Sequence, residues 1–303
     1  MECKRKDYPV LDSGGIPYII ERPLVEMRNV SYEVQSNGHT KLLLRDIGTA
    51  DKPFLVNDVK RIDVENQGQI IAVLGRSGGG KSTLFKLLAG LNKPTTGEIV
   101  IPNHTKNHDE LDKLVPVREG NVGFVQQTYP LSRNQSVHSM LMEAAKMGKV
   151  PRSERKALVS QYLAEWGLSK QHAQAANQLS GGQRQRAAII EQLLCSHHFM
   201  ILDEPYSGLD VKNTDALNQA FKKITSVDEI NTIFFSTHII KLATTIADQI
   251  FVIGYEYDEK GDQIEGGTII AQYDLKAMGF AWREYGEQHR QLTKEIEDLI
   301  LHN

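Results

Sequence analysis

The sequence has few of the residues that hold small scaffolds together by disulfides or metal ions. Only two cysteines occur among its 303 residues, Cys3 and Cys195, far apart and without a third companion. Disulfide frameworks and zinc sites need several cysteines, or cysteines with histidines, at short regular spacings. Neither is predicted, and a reducing compartment such as the cytosol is expected.

Long hydrophobic runs are also lacking. The longest, such as residues 70–74 and 199–202, fall far short of the roughly 18 residues that a membrane-spanning helix needs. The basic start of the chain is followed by Asp7, Pro9 and Asp12 instead of the apolar stretch of a signal peptide. No export is expected, and work at a membrane would require another chain to supply the spans.

The sequence also lacks a large excess of charge of one sign. The formal net charge is -3 and the sequence pI is near 6.4, whereas domains that bind nucleic acid usually carry clustered lysine and arginine. No nucleic-acid partner is expected. The balance of 40% hydrophobic and 24% charged residues excludes collagen-like and disordered chains, so one large globular domain with decorations is predicted.

What the sequence does contain is a regular succession of strand and helix patterns. Residues 24–34 and 54–64 alternate roughly between apolar and polar side chains, which predicts a small antiparallel β layer. Short continuous apolar runs at residues 69–74, 198–202 and 231–235 are typical of strands covered on both faces in a parallel sheet. Helical patterns separate these runs, so the predicted fold class is α/β.

The other segments set the predicted domain limits around a main domain at residues 24–255. Residues 1–23, interrupted by glycine and proline, are predicted to be an N-terminal extension that is extended or loosely docked. Residues 131–179 have helical spacing and form a predicted helical insertion. The C-terminal extension, residues 256–303, is predicted to contain an amphipathic helix that packs on its own domain rather than on a partner. Its apolar stripe consists of Trp282, Tyr285, His289, Leu292, Ile296 and Leu299.

A phosphate-binding loop is indicated at residues 75–83, GRSGGGKST, which match G-x-x-x-x-G-K-[ST] without a mismatch between a predicted strand and a helical run. Its glycines let backbone N–H groups approach phosphate oxygens, and the helix N-terminus adds partial positive charge. Lys81 is predicted to contact the β- and γ-phosphates and Ser82 to ligate Mg²⁺. The alternative is a glycine-rich loop that binds nothing.

Two acids, Asp203 and Glu204, directly follow the apolar run that ends at Leu202. Carboxylates at the carboxyl edge of a parallel sheet lie beside a bound ligand. Asp203 is predicted to hold Mg²⁺, directly or through water, and Glu204 to act as the general base on an attacking water. The alternative is a pair of surface acids that cap a turn before Pro205.

A second helix start is predicted where Ser180 and Gln183 form an S-x-x-Q capping box. Glycines in its first turn, Gly182 among them, leave backbone N–H groups open to an anion. Because the chain has one phosphate loop, the simplest use of this second terminus is the triphosphate held by another copy. The hypothesis is a head-to-tail dimer with two nucleotides at its interface.

At these residues the chain resembles a known family: LSGGQ at residues 179–183 is the signature sequence of ABC (ATP-binding cassette) ATPases. The resemblance covers roughly residues 24–255 and implies a RecA-like P-loop NTPase core with an antiparallel β subdomain and a helical subdomain that rotates when ATP binds. It also implies that Gln127 senses the γ-phosphate and Mg²⁺, that Asp210 belongs to the D-loop, and that His238 contacts the γ-phosphate. Without the resemblance, His238 would be an ordinary surface histidine.

The sequence departs from the family pattern in four places, one of which is the segment from about residue 256 onward, to which no counterpart is assigned. Gln126 replaces the usual aromatic residue before the Q-loop glutamine, which is expected to tune the partner contact more than the chemistry. The family stacks adenine on an aromatic residue at a place that aligns with Val34, and Tyr32 on the same strand face is the preferred candidate here. Residues 35–53 look like an insertion relative to a compact cassette.

The predicted site combines these motifs. The predicted catalytic residues are Glu204, His238 and Gln127, and the predicted metal ligands are Ser82, Gln127 and Asp203. The predicted nucleotide contacts are Tyr32, Gly75, Ser77, Gly78, Gly80, Lys81, Ser82, Thr83, Ser180, Gly182, Gln183 and Asp210.

Three functions are compatible with such a site. The first is the ATP-hydrolysing subunit of an ABC transporter, with ATP and Mg²⁺ as cofactors, a second copy as dimer partner and transmembrane permease subunits at the cytoplasmic face of a membrane. The second is a soluble ABC ATPase that powers assembly, DNA maintenance, defence or regulation, and only its partner would distinguish it from the first. The third is a nucleotide-sensing scaffold without turnover. The residues that argue against it are Lys81, Asp203, Glu204 and His238.

Overall fold

The computed structural model describes residues 10–11, 17–36, 38–61, 68–103, 113–126, 131, 135–195, 199–226, 231–281 and 283–303. Its strands are β1 (Val10–Leu11), β2 (Pro17–Ser36), β3 (His39–Ile47), β4 (Phe54–Arg61), β5 (Gln69–Leu74), β6 (Thr96–Pro102), β7 (Leu114–Pro116), β8 (Gly123–Val125), β9 (Phe199–Leu202), β10 (Thr232–Ser236), β11 (Gln249–Gly254) and β12 (Thr268–Asp274). Its α-helices are α1 (Lys81–Leu88), α2 (Val137–Met147), α3 (Arg152–Glu165), α4 (Gly181–Leu194), α5 (Val211–Thr225), α6 (Ile240–Ile246) and α7 (Glu287–His302).

The main sheet has the strand order β12-β11-β5-β10-β9-β8, and its neighbouring strands are parallel except for the pair β11 and β12. Side chains of β5 alternate between its two faces. Ile70 and Leu74 pack into a core shared with the helices, whereas Ile71 and Val73 pack into a second core shared with the other sheet. Cover on both faces explains the continuous apolar runs and confirms the predicted α/β class.

The second sheet is the predicted antiparallel layer. Within the described residues its long strand β2 pairs with β1, β3, β4 and β6. The rings of Phe54 on β4 and Phe251 on β11 stack with centroids 4.2 Å apart, so aromatic packing joins the two sheets. The described part of β4 runs to Arg61, and residues 62–64 of the predicted strand lie outside the described residues.

Residues 17–23 of the predicted N-terminal extension form part of a strand. Strand β2 begins at Pro17, and residues 18–23 pair with β4. Pro23 was expected to interrupt such a strand because it has no N–H group, but the ladder shifts register on both sides of it. The predicted insertion at residues 35–53 contains β3, which returns along β2 as a hairpin.

The C-terminal segment packs on the rest of the described domain. Strand β12 extends the main sheet beyond residue 255, the predicted limit of the main domain. His289, Leu292 and Ile296 of α7 are buried, and the hydroxyls of Thr293 and Thr244 are 2.8 Å apart across the contact with α6. Of the predicted stripe, Tyr285 precedes the helix and Trp282 lies outside the described residues.

Helices α2 and α3 fall within the predicted helical insertion, and α2 packs on α4. At this contact the carboxyl groups of Glu191 on α4 and Glu143 on α2 repel each other. Burial, with a smaller contribution from Glu143, raises the pKa of Glu191 to about 7.

The described part of the chain contains no helix that is long and apolar enough to span a membrane.

The raised pKa of Glu191 predicts a stability that depends on pH. A carboxyl group with a higher pKa in the folded state stabilises it when protonated, and this contribution is lost as the pH rises from about 4.5 through about 7. We expect Glu191→Gln, which stays neutral, to raise the free energy of unfolding at pH 8 by roughly 1–3 kcal/mol and to flatten its decline with pH.

Denaturant unfolding from pH 5 to pH 8 measures this difference. Glu297→Gln changes an exposed glutamate of α7 and serves as the control. An unchanged pH slope in Glu191→Gln would show that another group is responsible.

Candidate nucleotide site

The predicted phosphate loop lies where β5 ends and α1 begins. Gly75 has φ 150°, and a Cβ atom there would lie 2.2 Å from the backbone oxygen of Ile253 on β11. Gly80, the residue before α1, has φ 103°, a conformation that other residues rarely adopt. Glycine is therefore required at both positions, and the loop can present its backbone N–H groups at the start of the helix.

Lys81, the first residue of α1, folds back over this loop. Its Nζ atom donates hydrogen bonds to the backbone oxygens of Gly75 at 2.8 Å and Arg76 at 3.0 Å. Burial lowers the pKa of Lys81, while the nearby charges of Glu204 and Asp203 act in the opposite direction. An ammonium group whose bonds are to carbonyl oxygens can exchange them for stronger, charge-assisted bonds to phosphate oxygens.

Asp203 and Glu204 leave β9 on the same edge of the sheet. The Ser236 hydroxyl at the end of β10 donates to Oδ1 of Asp203 at 2.7 Å and accepts the backbone N–H of Glu204 at 2.8 Å. Glu204 has φ 49°, an uncommon conformation for a residue with a side chain. His238 lies beyond β10, and its Nδ1 is 3.1 Å from Oε2 of Glu204.

One cavity of about 460 Å³ collects most of the predicted residues. This volume falls within the range of small-molecule sites, which spans roughly 300–1,000 Å³. The predicted residues that line the cavity are Gly75, Ser77, Gly78, Gly80, Lys81, Ser82, Thr83, Asp203, Glu204 and His238, and Ser207 also lines it.

Two residues at this site were not predicted. Ser207 lies in the segment that resembles the D-loop, so its position in the sequence was a usable signal. Ser236 terminates an apolar strand and immediately precedes Thr237 and His238. Only the alignment of β10 with β9 reveals that its hydroxyl reaches both acids.

The second helix start forms as predicted but lies elsewhere on the protomer. Ser180 precedes α4, its hydroxyl accepts the N–H of Gln183 at 3.3 Å, and Oε1 of Gln183 accepts the N–H of Ser180 at 2.9 Å. Ser180 is exposed, and neither it, Gly182 nor Gln183 lines the cavity. Asp210 also lies outside the cavity lining and caps α5 by accepting the N–H of Asn213.

The last two predicted site residues are Tyr32 and Gln127. Tyr32 is half-buried against the core between the sheets and is not among the residues that line the cavity. Its role as the adenine contact stays a prediction. Gln127 lies outside the described residues, so its predicted roles in catalysis and metal binding also stay predictions.

The donor set fits a magnesium nucleotide. Among the described residues, no three His, Cys, Asp or Glu side chains lie close enough together to bind a metal ion without other ligands. Mg²⁺ is usually bound by one or two carboxylates together with phosphate oxygens and water. Ser82 and Asp203, which line the same cavity, provide a hydroxyl and a carboxylate of this kind.

Several known proteins are similar to this chain in sequence. The family described as ABC transporter matches residues 60–207. The sulfate/thiosulfate import ATP-binding protein CysA of Thermosynechococcus vestitus is 34% identical over 223 residues, which cover 73% of this chain and 63% of that relative. The methionine import ATP-binding protein MetN 1 of Listeria monocytogenes is 32% identical over 249 residues, covering 82% of this chain and 67% of the relative.

Solved structures give the same result for the fold. A dimeric ATP-binding cassette in a post-hydrolysis state, bound to ADP and Pi, is similar with a TM-score of 0.62 at 25% identity, covering 83% of this chain and 99% of that one. The cbiO1 subunit from Clostridium perfringens has a TM-score of 0.64 at 24% identity and covers 92% and 98% of the two chains.

The chain belongs to the ATP-binding proteins of the ABC transporter family, as its motifs predicted. Its fold is that of the ABC ATPase cassettes. The matched segment spans less than two thirds of the length of CysA, 63%.

The position of Lys81 predicts its contribution to nucleotide affinity. Lys81→Ala would remove the predicted charge-assisted contact to phosphate, and a contact of this kind is worth roughly 1.5–3 kcal/mol. We expect the affinity for ATP to fall about 10- to 100-fold in equilibrium dialysis. Lys86→Ala, which changes an exposed lysine on the same helix, should retain the affinity of the unmodified protein. Equal affinities in the two variants would remove Lys81 from the site.

Proposed function

We propose that this chain binds and hydrolyses ATP with Mg²⁺ as the nucleotide-binding subunit of an ABC transporter, and that it works as a dimer. The observation that carries the proposal is the single cavity in which the phosphate loop, Lys81, Asp203, Glu204 and His238 meet. Family membership supports the same conclusion, since the matched relatives are named as import ATP-binding proteins.

In this proposal the phosphate loop and Lys81 hold the triphosphate. Backbone N–H groups at the start of α1 and the ammonium group of Lys81 neutralise its charge. The Ser82 hydroxyl and the Asp203 carboxylate hold the metal ion. When bound, Mg²⁺ neutralises charge on the β- and γ-phosphate oxygens.

Glu204 is proposed to take the proton from the attacking water. Its carboxylate lies at the cavity beside Lys81 and contacts His238 through Oε2, so one oxygen is oriented while the other can face a water. His238 is largely exposed and can turn towards the γ-phosphate without disturbing the core.

The second copy is proposed to supply the other face of each nucleotide. Ser180 and Gly182 at the start of α4 lie outside the cavity that contains the phosphate loop, and a helix N-terminus of this kind can bind an anion. A head-to-tail pair would bring this terminus to the triphosphate of its partner. The similarity to a dimeric cassette with ADP and Pi supports this arrangement.

Transmembrane permease subunits are the proposed partners of the dimer. The relatives' names support transport, and import in particular. The described part of the chain has no helix of its own that could cross a bilayer. We propose that the chain lies at the cytoplasmic face of a membrane, held there by these partners.

The role of Glu204 predicts a separation of binding from turnover. Glu204→Gln keeps the size and most hydrogen bonds of the side chain but cannot accept the proton of the water. We expect its ATP turnover to fall about 100- to 10,000-fold, while its affinity for ATP stays near that of the unmodified protein. Steady-state phosphate release and equilibrium dialysis measure the two quantities. Hydrolysis at the unmodified rate would show that the base is another residue.

The same variant can test the proposed partners. Tagged Glu204→Gln protein is trapped with ATP and Mg²⁺ in its host, and the gently solubilised membranes are analysed by mass spectrometry for copurifying chains. A polytopic membrane protein at matched stoichiometry is expected, and Lys81→Ala protein serves as the untrapped control. Recovery of soluble partners alone, or of a bare dimer, would favour a non-transport ABC ATPase.

A further inference from the structure

The hydroxyl group of Ser236 occupies an unusual place in the main sheet. Ser236 is the last residue of β10, its relative exposure is 0%, and the four residues before it in the strand are buried as well. Strand β10 lies between β5 and β9, with Ser236 opposite Val73 of β5 and Phe235 opposite Leu202 of β9. The hydroxyl therefore lies level with the phosphate loop on one side and with Asp203 on the other.

A buried hydroxyl group must find hydrogen-bond partners, and Ser236 finds both of its partners in the two acidic residues. Its single proton is donated to Oδ1 of Asp203 at 2.7 Å. Its oxygen accepts the backbone N–H of Glu204 at 2.8 Å. One hydroxyl thus joins the side chain of the proposed metal ligand to the backbone of the proposed base.

The second of these bonds falls where the backbone is strained. Glu204 has φ 49°, a conformation that is unfavourable for a residue with a side chain and persists only where the surroundings hold it. The Ser236 hydroxyl holds the N–H of this residue, and His238 holds its carboxylate. The direction in which the Glu204 side chain leaves the sheet therefore depends on β10.

We infer that Ser236 is a positioning residue, which fixes the carboxylate of Asp203 for the metal ion and the backbone of Glu204 for attack on the phosphate. The inference rests on the proposed function, because it assumes those roles for the two acids. Without the hydroxyl, one oxygen of Asp203 and the N–H of Glu204 lose a partner, and both side chains gain freedom to rotate. Misplacement of a catalytic group by about 1 Å can reduce a rate about 100-fold.

Two nearly isosteric substitutions separate the hydroxyl from the space that it fills. Ser236→Thr keeps the hydroxyl and adds a methyl group. Ser236→Val has nearly the same shape as the threonine variant but lacks the hydroxyl. We expect the valine variant to lose about 10- to 100-fold in kcat. The threonine variant should stay within about threefold of the unmodified protein, because it can make both hydrogen bonds. Ser236→Ala, which adds no bulk, should behave like the valine variant.

A second measurement does not depend on turnover. The affinity for a non-hydrolysable ATP analogue is measured by equilibrium dialysis in EDTA and in Mg²⁺. We expect equal affinities in EDTA for all variants, since the phosphate loop is unchanged. The gain in affinity on adding Mg²⁺ should be smaller in the valine and alanine variants than in the threonine variant. A purely structural role for Ser236 would not produce this metal-dependent difference.

The control is Thr225→Val, which removes another buried hydroxyl. Thr225 ends α5 and donates to the backbone oxygen of Phe221, and its own carbonyl accepts the N–H of Gly68 just before β5 begins. It therefore lies at the end of β5 opposite the phosphate loop, and both readouts should be unaffected.

The inference is wrong if the valine and threonine variants lose kcat equally, or if the valine variant keeps both kcat and the Mg²⁺-dependent gain. An unmodified protein that binds ATP but does not hydrolyse it would instead contradict the proposed function. The dialysis comparison would still test the position of Asp203 in that case.

Discussion

The parallel register of β5, β9 and β10 is the constraint on which the site depends. These strands run side by side, and Phe235 of β10 is level with both Ala72 of β5 and Leu202 of β9. Parallel strands bring their carboxyl ends to one edge of a sheet. The phosphate loop, the two acids and the Ser236–His238 segment therefore meet, although they are far apart in the sequence. The core on both faces stabilises this register, because a shift of one residue would exchange the side chains that each face buries.

A single protomer contains only part of the proposed site. The phosphate loop and the acids share a cavity, while the capped start of α4 is exposed elsewhere on the surface. This division gives a physical reason for coupling between ATP binding and dimer formation, since the triphosphate would be the group that both surfaces bind. Opening and closing of the dimer would then follow the state of the nucleotide, and a membrane partner attached to the moving helices could use that motion.

Local features of the site were predictable from sequence, and long-range features were not. The phosphate loop and the capping box at Ser180 depend on neighbouring residues, so their patterns are complete in the sequence. Strand β12 and the first residues of β2 form because they pair with strands that are distant in the sequence. Proline suggested that the strand pattern breaks before residue 24, but the pairing of β2 with β4 shifts its register around Pro23 and continues. The contacts of Ser236 arise from the alignment of β10 with β9, and no pattern in the sequence of either strand predicts them.

A mixing experiment tests the shared site most directly. Lys81→Ala protein has an intact α4 terminus, and Ser180→Arg protein has an intact phosphate loop, so each alone should hydrolyse almost no ATP. In a head-to-tail dimer, a mixed pair contains one site with both intact parts. Random pairing of equal amounts should therefore restore about a quarter of the unmodified ATPase activity. A mixture as inactive as its two components would contradict the shared site.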